Sequence, residues 1–154
     1  MSTPFLVTRE AVVAEARCWL GTPYHHQAAL HGVGCDCLGL VRGVWRALYG
    51  REPETPPPYR PDWAEAGGIE TLRDAALRHL VAVEPADIAP GDVLLFRWRA
   101  HVPAKHVAIL TDIQGDVARM IHAHDGACVC EVALTAWWRR RLAFAFSFPP
   151  ALQL

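Results

Sequence analysis

The sequence predicts an α+β domain in which helices come first and an antiparallel sheet follows. Two observations support this: apolar residues recur at helical spacing in the first half of the chain, and short β-favouring runs separated by turns follow one another in the second half. Helices followed by consecutive strands are typical of α+β domains with an antiparallel sheet. The length of 154 residues suits one domain, so we assign residues 1–154 to a single domain.

Three helices are expected. The first runs from Thr8, a residue type that caps helices, to Leu20, and Gly21-Thr22-Pro23 ends it. The second begins at Cys37 and ends at Tyr49-Gly50, and Gly39 and Gly43 would let it approach another element closely. The third is short and amphipathic. It spans residues 70–80, after a proline-rich loop at residues 51–61.

The second half of the chain changes to strand patterns. Five runs rich in β-branched, aliphatic or aromatic residues are predicted to be strands, and Gly, Asp or Pro-containing turns separate most of them. They lie at residues 93–96, 106–110, 118–124, 128–134 and 142–148.

Charge and hydropathy exclude several classes of partner. The sequence has 15 Lys and Arg residues and 16 Asp and Glu residues, a net charge of -1. It therefore lacks the excess of basic residues typical of proteins that bind a nucleic-acid backbone. No run reaches the roughly 18 apolar residues that suggest a membrane span. Met1 to Leu20 does not resemble a secretory signal, so synthesis in the cytoplasm is expected.

Cys37 is the candidate nucleophile among five cysteines, an odd number that cannot all pair in disulfides. It stands where the second helix should begin, just after Cys35-Asp36. A thiol at a helix start feels the positive end of the helix dipole and nearby backbone N–H groups, both of which lower its pKa. We therefore expect a reactive thiolate at this position.

Two histidines complete a candidate catalytic set. His106 opens a predicted strand and could present a ring nitrogen to a thiol, as the base of a cysteine hydrolase must. His122 lies on the next predicted strand and is the candidate for orienting His106. His124 is the reserve choice, because residues two apart on a strand face the same side.

Five sequence blocks resemble the NlpC/P60 family of cysteine peptidases. The blocks occur in family order: Leu20-Gly21-Thr22-Pro23-Tyr24, Asp36-Cys37-Leu38-Gly39-Leu40-Val41, Gly91-Asp92-Val93-Leu94-Leu95-Phe96, His106-Val107-Ala108-Ile109 and Ile121-His122-Ala123. The resemblance implies a papain-like α+β fold, with the cysteine helix packed on an antiparallel sheet. It also implies hydrolysis of the peptidoglycan stem peptide, between D-Glu and the diamino acid, without a metal or other cofactor.

Carried over by residue, the resemblance implies Cys37 as nucleophile, His106 as general base and His122 as the orienting residue. Tyr24 matches a tyrosine that lines the substrate pocket, and Asp36 matches an aspartate placed to hold the substrate's amino group. The chain departs from the family at Leu38, where many members have serine, and in the 16-residue step from His106 to His122.

The motif Asp36 to Val41 resembles the phage-tail and gene-transfer-agent branch of this family. That branch implies tail or baseplate proteins as partners, and delivery on a particle to the periplasm. Trp137-Trp138 is then either a docking surface or a pair that closes the core.

Three other functions remain open from the sequence. A zinc site could use Cys35, Cys37, Cys128 and Cys130 with nearby histidines, although structural zinc sites usually leave two or more residues between paired cysteines and here one intervenes. The chain could instead be a non-catalytic structural piece of a tail. An amidase or acyltransferase would use the same Cys–His pair.

Overall fold

The computed structural model describes residues 6–57 and 69–150. In this part of the chain, four α-helices and eight strands are assigned. Residues 58–61, the last part of the predicted proline-rich loop, lie outside the described residues.

The three predicted helices are present, with ends close to those expected. They are α1 (Arg9–Cys18), α2 (Cys37–Tyr49) and α3 (Thr71–His79). Thr8 caps α1 as predicted, because its hydroxyl accepts a hydrogen bond of 3.1 Å from the backbone N–H of Ala11. A fourth helix of one turn, α4 (Ala136–Arg139), was not predicted.

A six-stranded antiparallel sheet forms the second half of the chain. All five predicted strands are present, as β4 (Val93–Phe96), β5 (His106–Gln114), β6 (Val117–Ala123), β7 (Val129–Ala133) and β8 (Leu142–Ser147). The sequence analysis missed β3 (Val81–Val83) and the small hairpin of β1 (Ala29–Leu30) and β2 (Gly34–Cys35). The strand order in the sheet is β3-β8-β4-β5-β6-β7.

Both faces of the sheet are covered. On one face, Val93, Leu95 and Ile109 pack against the apolar side of α1 and α2. On the other face, Leu94 and Phe96 belong to a second cluster. Since successive side chains of a strand point to opposite faces, burial on both sides explains why β4 is apolar without alternation.

Two glycines let α2 lie close to its neighbours, as predicted. A Cβ on Gly43 would stand 2.0 Å from the ring of Trp19, the residue after α1, and a Cβ on Gly39 would stand 1.8 Å from the carbonyl oxygen of Ala28. Both distances are far inside van der Waals contact. The first half of α2 is therefore packed closely against Trp19 and against the backbone at Ala28.

No helix among residues 6–57 and 69–150 is long and apolar enough to cross a membrane.

Candidate active site

Cys37 is the first residue of α2, and Asp36 fixes that helix start. The Asp36 side chain is 2% exposed. One carboxylate oxygen accepts from the N–H of Gly39 at 2.7 Å, and the other accepts from the N–H of Gln27 at 2.8 Å. Asp36 is thus the N-cap of α2 and also ties the loop before β1 to the start of that helix.

The Cys37 thiol points toward the segment that leads into β5. It donates a hydrogen bond to the carbonyl oxygen of Lys105, with 3.9 Å between sulfur and oxygen. His106 is the next residue and the first of β5. The helix start and the strand start therefore meet at the thiol.

His106 and His122 are hydrogen-bonded to each other. Nε2 of His106 and Nδ1 of His122 lie 2.9 Å apart, and the two residues are 9% and 3% exposed. When His106 carries its proton on Nε2, that N–H donates the hydrogen bond to Nδ1 of His122. Nδ1 of His106 then keeps the lone pair that a base needs.

The 16-residue step between these histidines follows from the length of the β5–β6 hairpin. β5 continues to Gln114, beyond the predicted end at residue 110, and β6 begins at Val117. Ile109 pairs with Ile121, which places His122 opposite Ala108 and diagonal to His106. A diagonal pair of ring side chains is within contact range.

His124 lies outside this hydrogen bond. It is exposed, and its ring centroid is 5.7 Å from that of His122. The geometry therefore favours His122 over His124 as the partner of His106.

Tryptophan rings surround the histidine pair. The ring centroids of Trp98 and Trp138 lie 5.3 and 5.4 Å from that of His106, and Trp138 is also 5.4 Å from His122. Trp137 is 43% exposed and packs edge-on against Trp138. Trp137 and Trp138, for which the sequence left open a docking surface or a core closure, thus line the same cavity as Cys37 and His106.

Burial determines the charge state of the site. It lowers the pKa of His106 to about 3, with His122 and then His124 adding to the effect, and it lowers the pKa of His122 to about 4. The expectation of a lowered thiol pKa is wrong. Burial, followed by the charge of Asp36, raises the pKa of Cys37 to about 12 and outweighs the backbone hydrogen bonds at the helix start. The resting pair is a neutral thiol and a neutral imidazole.

Glu70 anchors the loop that precedes His106. One of its carboxylate oxygens binds Arg97 at 3.3 Å, and the other accepts from the N–H of Ala104 at 3.1 Å. The N–H of Lys105 then donates to the carbonyl of Phe96 at 3.0 Å. These bonds hold the Lys105 carbonyl where the Cys37 thiol meets it.

All five residues singled out from the sequence line one cavity of about 360 Å³, and so does His124. Its other walls are formed by His26, Leu38, Leu72, Trp98, Lys105, Ala123, Asp125, Trp137 and Trp138. Burial raises the pKa of Tyr24, and negative charge on Cys37, when it is ionised, and on Asp36 and Asp125 adds to the effect.

The sequence analysis missed Trp98 and Lys105 as parts of this site. Lys105 directly precedes the candidate base His106, and this position in the sequence marks it as a neighbour of the site. Within residues 6–57 and 69–150, no group of three or more His, Cys, Asp or Glu side chains is placed to hold a metal ion.

Comparison with known proteins identifies the architecture. No protein-family model and no curated protein matches the sequence. Among solved structures, the NlpC/P60 domain of the peptidoglycan hydrolase SagA aligns over 92% of this chain and 100% of its own, with a TM-score of 0.62 and 25% identity. The chain has the NlpC/P60 fold.

Other structures with this fold are larger proteins. An NlpC/P60 family protein from Bacillus cereus aligns over 93% of this chain with a TM-score of 0.64 and 20% identity, and this chain spans 41% of its length. Ly7917, with the hydrolysing product of MDP, aligns over 93% with a TM-score of 0.57 and 13% identity, and this chain spans 63% of it. At these sequence identities, the two similarities support a shared fold and nothing further.

Proposed function

We propose that this protein is a cell-wall hydrolase, a cysteine endopeptidase that cuts the stem peptide of peptidoglycan. The observation that carries the proposal is the meeting of Cys37 with the hydrogen-bonded pair His106 and His122 in one cavity. A nucleophile, a base and a group that orients the base are the parts that cysteine hydrolases need. The alignment with SagA, a peptidoglycan hydrolase, supplies the substrate class.

The neutral resting pair sets the order of proton transfers. Sγ of Cys37 attacks the scissile carbonyl while Nδ1 of His106 takes the thiol proton, and His122 stabilises the imidazolium through Nε2. The backbone N–H of Cys37, free of an intrahelical acceptor at the helix start, donates to the developing oxyanion. His106 returns the proton to the leaving amine. Water then attacks the thioester, again with His106 as base, and releases the acid and the free thiol.

The bond we assign is the one between D-Glu and the following diamino acid. The family resemblance at Tyr24 and Asp36 supports this choice, because both residues line the cavity beside Cys37. The test is hydrolysis of synthetic L-Ala-γ-D-Glu-diaminopimelate, followed by chromatography. Wild-type protein should release L-Ala-D-Glu and the Cys37→Ala variant should release none. Release by both proteins would remove Cys37 from the mechanism.

We further propose that the enzyme travels on a phage-like particle and acts in the periplasm. The support is the resemblance of Asp36 to Val41 to the phage-tail and gene-transfer-agent branch. Proteomics of purified particles tests this directly. The protein should be recovered with tail or baseplate components, and its absence from particles would reject the delivery route while leaving the enzyme assignment intact.

A further inference from the structure

We propose that the rings of Trp98 and Trp138 stabilise the positive charge that His106 carries during catalysis. That charge forms when His106 takes the proton of the Cys37 thiol. The two tryptophans are positioning residues, because they act through His106 and not on the substrate. The proposal rests on the part of the proposed function that makes Cys37 the nucleophile and His106 the base, and it does not depend on which bond is cut.

The surroundings of His106 disfavour its protonated form. His106 is 9% exposed, so water can solvate the charge only in part. Its hydrogen-bond partner at 2.9 Å is the neutral imidazole of His122 rather than a carboxylate, and that partner supplies no opposite charge. Burial lowers the pKa of His106, and positive charge on His122 and His124 lowers it further.

The carboxylates of the cavity offset this cost only in part. Among the described residues that line the cavity, the acidic ones are Asp36 and Asp125. Asp36 accepts from the N–H groups of Gln27 and Gly39, which offset part of its charge. Asp125 is exposed, so water and salt screen its charge. The aromatic rings beside His106 are therefore the next source of stabilisation.

Two tryptophan rings lie nearly parallel to the imidazole ring of His106. The plane of Trp98 is inclined to it by 28° with 5.3 Å between centroids, and that of Trp138 by 25° with 5.4 Å. A cation within about 6 Å of an aromatic centroid is attracted by the negative face of the ring, and tryptophan attracts it most strongly. Because the site is buried, this attraction is screened little.

Other side chains hold the Trp138 ring in place. Its ring is T-shaped to that of the fully buried Phe96, with 4.9 Å between centroids, and lies 5.8 Å from that of Trp98. It is also T-shaped to the ring of His122 at 5.4 Å. A ring that is already in position needs no reorganisation when the charge appears, the condition under which electrostatic stabilisation contributes most to catalysis.

Alkylation of Cys37 by iodoacetamide tests the proposal without any substrate. The thiolate sulfur bonds to the methylene carbon and iodide leaves, and the thiolate forms when the proton moves from Sγ to His106. A less stable imidazolium therefore slows alkylation. Fluorine withdraws electron density from the face of an aromatic ring and changes its shape little. Mono-, di- and trifluorinated tryptophans are introduced in place of Trp138 and, separately, of Trp98.

The rate constant at Cys37, followed by mass spectrometry of the peptide that contains it, should fall stepwise with the number of fluorine atoms. Over the series at Trp138 the fall should be on the order of tenfold. The same series at Trp45, whose ring packs on Tyr49 toward the other end of α2, should leave the rate unchanged. The exposed Cys18 serves in each protein as an internal measure of general thiol reactivity.

A second set of variants asks whether the effect passes through His106. In a His106→Ala background, the series at Trp138 should have no effect, since no imidazolium forms. Trp138→Phe keeps an aromatic face and should keep more of the rate than Trp138→Leu. A rate that stays constant across the series, an equal fall in His106→Ala, or an equal fall at Cys18 would overturn the proposal. A protein that behaves as expected here but cuts no peptidoglycan would count against the proposed substrate alone.

Discussion

At the scale of single residues, the catalytic set depends on which histidine orients His106. One residue separates His122 from His124, and both residues line the cavity. Only His122 is hydrogen-bonded to His106 in the described structure, at 2.9 Å. His122 is also buried, whereas His124 is exposed, so water can replace the orienting contact less easily at His122.

We expect His106→Ala to lower kcat by on the order of 10²–10⁴, the range typical of general acid–base groups. His122→Ala should cost less, on the order of a hundredfold, because the base remains but loses its orientation. His124→Ala is the matched control and should leave kcat unchanged. Steady-state rates on the tripeptide measure all three. A silent His122→Ala together with a damaging His124→Ala would reverse the assignment.

The lowered pKa of His106 also predicts how the stability of the fold depends on pH. In the unfolded chain His106 titrates near its ordinary value of about 6.5, whereas in the fold its pKa is about 3. Above about pH 6.5 the imidazole is neutral in both states, so its environment costs no stability there. As the pH falls below that value, the unfolded chain binds a proton that the fold resists, and stability is lost.

Urea unfolding at about pH 7.5 and about pH 5 measures this loss. The contribution of His106 to the decrease in the free energy of unfolding should reach up to about 2 kcal/mol at the lower pH. A His106→Asn variant should show a correspondingly smaller drop between the two pH values. His101→Asn is the control, because His101 is exposed and Asn tolerates its positive φ. A drop that is the same in wild-type protein and in His106→Asn would contradict the buried neutral imidazole.

The sequence located the candidate catalytic residues but not all of their surroundings. Cys37 could be located because a helix pattern begins at it, and His106 because it opens a strand. The raised pKa of Cys37 could not be foreseen, since burial depends on contacts from distant parts of the chain. Trp98 reaches the site for the same reason, through the packing of its loop against α4.

At the scale of elements, the position of α2 decides whether the thiol meets the histidines. Its close approach to α1 needs Gly43, where a Cβ would collide with the Trp19 ring. Trp19 is almost fully buried, which leaves its ring little room to move.

The Gly43→Ala substitution tests this packing, because helix propensity and overpacking change the free energy of unfolding in opposite directions. Helix propensity alone predicts that alanine stabilises the protein by roughly 0.5–1 kcal/mol. Overpacking against Trp19 predicts a net loss of about 1–3 kcal/mol. Urea unfolding should show the loss, and a more stable variant would show that α2 has space at this point.

Elements with a strong repeating pattern were predictable, and those created by tertiary contacts were not. The helices α1 and α2 and the five long strands follow the patterns of their side chains. β3 has three residues and pairs with β8, more than sixty positions later, so no local signal marks it. α4 is a single turn, too short for a helical repeat to be visible.

At the scale of the whole molecule, the two halves of the chain supply different parts of one chemistry. The helical half carries the candidate nucleophile Cys37, and the sheet carries the candidate base His106 and its partner His122. The cavity lies where they meet. The alignment with the entire SagA domain covers 92% of the chain and so includes both halves.

The most direct test of the central claim is digestion of purified peptidoglycan with wild-type and Cys37→Ala protein, followed by mass spectrometry of the soluble fragments. The account predicts fragments cut between D-Glu and the diamino acid in the wild-type digest and none in the variant digest. Fragments from sugar-chain cleavage alone, release of whole stems from muramic acid, or identical digests from the two proteins would contradict it.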